Sequence, residues 1–238
     1  MARLLPLLVI PLIAVACASP QGDEDTEGRS DAITPAMQDG PATDFPETVQ
    51  ILHGNGTDYC TGVLVNDHVV LGAAHCIWGT SYTIKAPFAP GAPTRKVKSS
   101  AVVTRAYAND VAAADVGVLV LDQPIVLEQY ATLTKIGDQV DAGRSFEGVA
   151  VGRSREARTA PLVRSKRLTI TSGAAAGYTT GLRTQYFSTG GDSGGPLYLV
   201  KNGRVTHEVV GVERQPEEDT DSDWFTRVDD AVIALTRR

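Results

Sequence analysis

Gly191-Asp192-Ser193-Gly194-Gly195-Pro196 sets a serine among glycines, and far upstream Gly72-Ala73-Ala74-His75-Cys76 sets a histidine in an equally distinctive frame. A serine hydroxyl is a poor nucleophile at neutral pH. It needs an imidazole to take its proton and a third group to fix the imidazole tautomer. The two stretches together predict a serine hydrolase. The glycines predict a tight turn in which the N–H groups of Gly191 and Ser193 converge on the oxygen that becomes negative in a tetrahedral intermediate.

Around these stretches the chain reads as β-structure. Short β-branched runs recur at Thr48 to Leu52, Gly62 to Val65, His68 to Leu71, Val97 to Val103 and Val116 to Leu121. They continue at Phe146 to Val151, Arg167 to Thr171, Pro196 to Val200, Val205 to Val212 and Trp224 to Val228. Turn clusters separate them, among them Asn66-Asp67, Gly91-Ala92-Pro93 and Lys201-Asn202-Gly203. Many short strands with regular turns predict an all-β sandwich or barrel. Only the tail, Asp229 to Arg238, reads as a helix, capped by Asp229 or Asp230, with Val232, Ile233 and Leu235 on its apolar side.

With 238 residues, 42% of them hydrophobic, the chain can bury a substantial core in one all-β domain or a pair of tightly packed small barrels. A net charge of -6 without a basic stripe argues against nucleic acid as a partner, because phosphate contacts need clustered Lys and Arg. The acidity is local: Asp23, Glu24, Asp25, Glu27 and Asp31 crowd one segment, and Glu217, Glu218, Asp219, Asp221 and Asp223 crowd another. Solvated loops are the default reading of both.

At the N-terminus, Arg3 is followed by an apolar run from Leu4 to Val15 and then by Ala16, Cys17 and Ala18, the pattern of an export signal over residues 1–18. Two routes of processing fit. An ordinary signal peptidase would cut near Ala18, whereas a lipoprotein pathway would cut before Cys17 and lipidate its sulfur, tethering the chain to a membrane. Either route places the protein outside the cytoplasm, secreted, periplasmic or on the cell surface. Cys60 and Cys76 bracket what reads as two meeting strands, which makes them natural disulfide partners in an oxidising compartment, with Cys17 left over. Residues 19–45 are rich in Asp, Glu, Gly, Pro, Ser and Thr and read as linker or propeptide. The domain proper is expected over residues 46–238.

Gly191 to Gly195 also satisfies the Gly-x-Ser-x-Gly pattern of α/β-hydrolases. That fold places its histidine after the serine and the acid, where only the strand-like His207 is available, and the alternating helices it needs are missing. His75, an aspartate, then Ser193 is instead the order of the chymotrypsin class. From about Phe45 to Arg238 the chain resembles trypsin-like serine proteases, especially short secreted bacterial members. The resemblance rests on Cys60-Thr61-Gly62-Val63-Leu64-Val65, Gly72 to Cys76, Asp115-Val116-Gly117-Val118-Leu119, Gly191 to Leu197 and Phe225-Thr226-Arg227-Val228. It implies two packed six-stranded antiparallel barrels with a cleft between them, and its disulfide beside the histidine fits Cys60 and Cys76.

The resemblance further implies His75 as general base and then acid, Asp115 as its orienter with Asp110 a nearby rival, and Ser193 as nucleophile. Gly191 and Ser193 would supply the oxyanion hole. His53, His68 and His207 are expected to be ordinary half-buried histidines. Asp192, buried beside the nucleophile, would pair with a new N-terminal amine after zymogen cleavage. Phe187, Ser188 and Gly190 fall in the run that lines the primary pocket. A phenyl ring at its base would fill it rather than attract a basic side chain. Asp223 matches a pocket-wall position normally held by glycine, where a carboxylate would pair with Arg or Lys of a substrate; otherwise it continues a solvated loop.

Three departures stand out. No Ile-Val-Gly-Gly appears, Ile33 in Asp31-Ala32-Ile33-Thr34 being the closest maturation point; Thr189 replaces the cysteine that frames the pocket; and Arg214-Gln215-Pro216 stands where the family's Ser-Trp-Gly wall falls. The expected function is an exported, monomeric serine endopeptidase acting on proteins or peptides without metal or cofactor. The alternative is a surface-tethered binding or scaffold protein that keeps the triad on the same fold.

Overall fold

A computed structural model describes residues 38–54, 59–79, 81–153, 161–188, 191–217 and 221–237. The export segment with Cys17, the candidate maturation point Ile33, and Thr189 and Gly190 of the expected pocket lie outside the described residues.

In chain order, β1 (Gln38–Pro41) precedes six strands: β2 (Thr48–His53), β3 (Tyr59–Leu64), β4 (Val69–Gly72), β5 (Tyr82–Lys85), β6 (Thr94–Val102) and β7 (Gly117–Leu121). Then come β8 (Thr132–Leu133), a helical turn α1 (Gly137–Asp141), β9 (Phe146–Arg153), β10 (Leu162–Ser165), β11 (Leu168–Ser172) and β12 (Gly181–Gln185). The chain finishes with β13 (Pro196–Lys201), β14 (Arg204–Glu217), β15 (Ser222–Arg227) and the helix α2 (Asp230–Leu235). β2 to β7 close into one antiparallel barrel in the order β2-β3-β4-β7-β6-β5. A second six-stranded barrel runs β9-β11-β12-β15-β14-β13 and closes through β13 onto β9. The all-β expectation of two six-stranded barrels with a short C-terminal helix holds.

The apolar runs in the sequence are continuous rather than alternating because many strands are buried on both faces. In β4 all four residues are buried. Val70 points into the core of the first barrel with Ile51, Leu64 and Leu119, while Leu71 joins the seam between the barrels with Val63 and Val118. Val210 lies in the second core with Leu182, Leu197 and Phe225, while Val209 and Val212 enter the same seam. Helix α2 seals that seam with Val232 and Leu235. Its N-cap is Asp229, whose Oδ1 accepts the Val232 N–H at 2.9 Å, an interaction contributing about 1 kcal/mol.

Polar contacts cross the seam as well. The buried Tyr198 hydroxyl lies 2.9 Å from Thr48 Oγ1, and Glu47 Oε1 lies 2.7 Å from His207 Nδ1. Burial, and then the nearby Glu47 charge, push the Tyr198 phenol well above its ordinary range, so it serves as a neutral hydrogen-bonding group.

Two elements differ from expectation. β1 pairs with β10, and Ala42 and Phe45 are buried, so the last residues of the 19–45 stretch read as linker or propeptide pack onto the domain. α1 was not foreseen, because Gly137-Asp138-Gln139-Val140-Asp141 shows no helical apolar period; Val140 alone packs inward beside Gly137.

Candidate active site

β4 delivers the histidine. After Gly72 the chain extends through Ala73 and then tightens into one 3-10 turn, Ala74–Cys76, closed by the Ile77 N–H on the Ala74 carbonyl at 2.9 Å. Ala73 and Ala74 are fully buried, so the turn sits flush against the barrel and only small side chains fit beside His75. Cys76 is bonded to Cys60 on β3, with Cα atoms 6.3 Å apart and a sequence separation of 16, as the cysteine spacing predicts. Closing a loop of that size contributes about 3 kcal/mol in the chain-entropy model.

Asp115, at the head of β7, clamps His75 twice. Its Oδ2 lies 2.6 Å from the ring Nδ1 and its Oδ1 accepts the His75 main-chain N–H at 2.9 Å. The carboxylate is 2% exposed against 31% for the imidazole, so its charge faces the ring rather than water. The Asp115 N–H in turn donates to Thr226 Oγ1 of β15 at 3.1 Å, anchoring it across the seam. Asp110, the rival, is exposed and caps its own turn, with Oδ1 accepting from the Ala112 N–H. His53 is buried, His68 lies beside Asp67 and His207 beside Glu47, so none of the three competes for Asp115.

The serine arrives from the other barrel. Gly194 has φ +84° and donates to the Glu213 carbonyl, while a side chain there would press onto Ala73 N at 2.9 Å. Only glycine lets this turn reach the chain segment that carries His75. The Ser193 carbonyl accepts the Thr61 N–H at 2.9 Å and lies 3.8 Å from Cys76 Sγ, and Thr61 Oγ1 donates to the Gly191 carbonyl at 3.0 Å. The N–H groups of Gly191 and Ser193 donate to no acceptor among the described residues, and neither does a hydrogen bond join the imidazole to the Ser193 hydroxyl there. In apo sites that contact often tightens only with substrate bound.

These features are those of one protein family, and the trypsin family matches residues 36–233. The chain belongs to the trypsin family. No curated protein matches it.

Around this trypsin-family centre lies a buried acidic cluster. Asp192 is 1% exposed and its Oδ1 accepts the Arg153 N–H at 2.8 Å. Asp223 does not continue a solvated loop; it sits in β15, fully buried. Its carboxylate takes the Phe187 N–H, the Ser188 N–H at 2.8 Å and the Ser188 hydroxyl at 2.6 Å. Burial raises its pKa, and these donors oppose the rise. The Phe187 side chain packs in the second barrel core, its ring centroid 6.0 Å from that of Phe225.

One residue of this cluster escaped sequence reasoning. Glu213 on β14 is 2% exposed, and its Oε1 has no hydrogen-bond partner among the described residues. Burial, followed by the charges of Asp192 and Asp223, pushes its carboxyl well up, with a hydrogen bond to Ser188 opposing. The signal was a lone carboxylate closing the apolar run Val209 to Val212. Arg214, in the expected wall, turns toward the loop before Asp115: its guanidinium donates to the carbonyls of Val111, Ala113, Tyr107 and Asp110. The wall itself continues as strand, with Gln215 opposite Trp224 and Pro216 opposite Asp223.

Cys60, His75 and Cys76 place their ligand atoms within 4.8 Å of one another. The two sulfurs are bonded to each other, so the imidazole is the one donor left for an ion.

Proposed function

We propose that this trypsin-family protein is an exported serine endopeptidase with His75, Asp115 and Ser193 as its triad. The observation that carries the reading is the double clamp of Asp115 on His75. With Nδ1–H directed at Asp115, Nε2 is left unprotonated and free to take the Ser193 hydroxyl proton as Oγ attacks the carbonyl carbon of a peptide. The negative oxygen formed there is held by the Gly191 and Ser193 N–H groups. The imidazolium, stabilised by Asp115, then gives its proton to the leaving amine as the C–N bond breaks. Water repeats the sequence on the acyl-enzyme. The rival reading, a binding protein with a silent triad, draws on Arg214, which replaces the wall that would hold the substrate main chain. Turnover of a peptide ester, present in wild type and lost in Ser193→Ala, separates the two.

The acidic cluster supports a preference for Arg or Lys on the acyl side of the cut bond. Asp223 is saturated by three donors from Phe187 and Ser188, so it shapes the pocket floor, and in this cluster the oxygen without a partner among the described residues is Glu213 Oε1. The carboxyl keeps a hydrogen bond to Ser188, and a cationic side chain is the partner that its other oxygen lacks. Glu213→Gln should depress cleavage after Arg and Lys while sparing small apolar residues on a peptide library; an unchanged preference removes Glu213 from the pocket. The same variant reports on stability. An unfolded Glu loses its proton near pH 4.3, but the folded carboxyl keeps it to higher pH, so the stability present below pH 4 drains away as pH rises. The fall in Tm between pH 4 and pH 8 should be smaller in Glu213→Gln than in wild type, and equal falls would contradict the assignment.

Export supplies the oxidising compartment that the Cys60–Cys76 bond requires. Intact mass of the protein recovered from its producing cells should show either diacylglycerol on Cys17 or a start beyond it, and an unprocessed Met1 terminus would contradict export.

A further inference from the structure

Trp78 is 67% exposed, three residues beyond His75, while its neighbour Ile77 is buried. The indole is not loose. Its rear face stacks on the His53 ring with centroids 4.4 Å apart and planes 14° from parallel, and His53 in turn meets Tyr82 edge-on at 4.9 Å. The Tyr82 hydroxyl accepts the Gly79 N–H at 2.6 Å and donates to the Gly79 carbonyl at 2.7 Å. Arg105 Nη1 donates to the Ile77 carbonyl at 2.8 Å. The corner from Ile77 to Gly79 is therefore pinned from both sides while the front face of a large apolar ring stands in water. Packing among the described residues accounts for the rear face but gives no reason for the exposed front one.

The chemistry of the neighbouring histidine does. On the reading above, the acyl half of the substrate lies over the second barrel, beside Ser188, Glu213 and Asp223. His75 hands its proton to the leaving nitrogen, so the chain attached to that nitrogen passes over the His75 turn and the Cys60–Cys76 bridge on the first barrel. The 3-10 turn ends at Cys76, so the three residues from His75 to Trp78 reach at most about 10 Å, and two extended residues span about 7 Å. We propose that Trp78, backed by His53, is the platform for the second residue beyond the cut bond and selects an aromatic side chain there. The proposal rests on the peptidase reading.

Acyl transfer isolates this side of the site, because an ester forms the acyl-enzyme without occupying it. The acyl-enzyme is then offered Gly-Phe-amide or Gly-Gly-amide in competition with water. Wild type should prefer Gly-Phe-amide by roughly 3- to 10-fold, the range of an aromatic pair. Trp78→Ala should lose that preference while hydrolysing the ester as wild type does. Trp78→Leu, which keeps apolar bulk without a π-face, should lose most of it. Equal capture of both amides by wild type, or an undiminished preference in the substituted proteins, overturns the platform alone. No ester turnover by wild type overturns the peptidase reading and the platform together.

Discussion

Ser193→Ala and His75→Ala should each lower turnover of a peptide ester by on the order of 10⁶-fold, and the double variant should lose little more than either. Without Oγ there is no acyl-enzyme, and without the imidazole the hydroxyl keeps its proton, so each variant abolishes the same step. Residual catalysis would come from the Gly191 and Ser193 amides, which neither substitution removes. The check is kcat/KM for the two single variants and the double variant. Appreciable activity in Ser193→Ala, or losses that multiply in the double variant, would remove these residues from a shared mechanism. Neither change should unfold the protein: Ser193 contributes its main-chain carbonyl to Thr61, and His75 its main-chain N–H to Asp115, and both survive substitution.

Asp115→Asn should cost roughly 10⁴-fold in turnover. The amide oxygen can still accept the His75 main-chain N–H. The amide nitrogen then faces Nδ1 and donates to it, which moves the ring proton to Nε2. In that tautomer the imidazole cannot take the serine proton. Asp110→Asn is the control, since the Asp110 carboxylate serves an exposed turn and touches neither His75 nor Ser193. A fall of less than tenfold in Asp115→Asn, or an equal fall in Asp110→Asn, would contradict the clamp.

What the sequence made legible follows a physical line. The ten β-branched runs all became strands because each buries apolar side chains whatever lies beside it. Two of the strands that went unseen depend on their neighbours. β12 carries a single large apolar residue, Leu182, and β1 has none, so only pairing with β15 and β10 makes them strands. At the site, His75, Asp115 and Ser193 each sit in a local frame that needs a particular backbone: alanines too small to clash, a polar head on an apolar strand, a glycine turn. Glu213 and Arg214 lack such a frame. Their roles come from Ser188, Asp192 and Asp223 in one case and the 107–113 loop in the other, all distant in the chain. Asp223 misled for the same reason: it belongs to an acidic run in sequence, yet pairing of β15 with β12 and β14 buries it.

Reaction with a fluorophosphonate tests the central claim most directly, because phosphonylation of a serine, with loss of fluoride, needs the same activated Oγ and the same amide donors as attack on a peptide. Wild type should take up one equivalent, mapped by mass spectrometry to Ser193, and Ser193→Ala should take up none. Folded wild type that stays unlabelled, or label that persists in Ser193→Ala, would contradict the account.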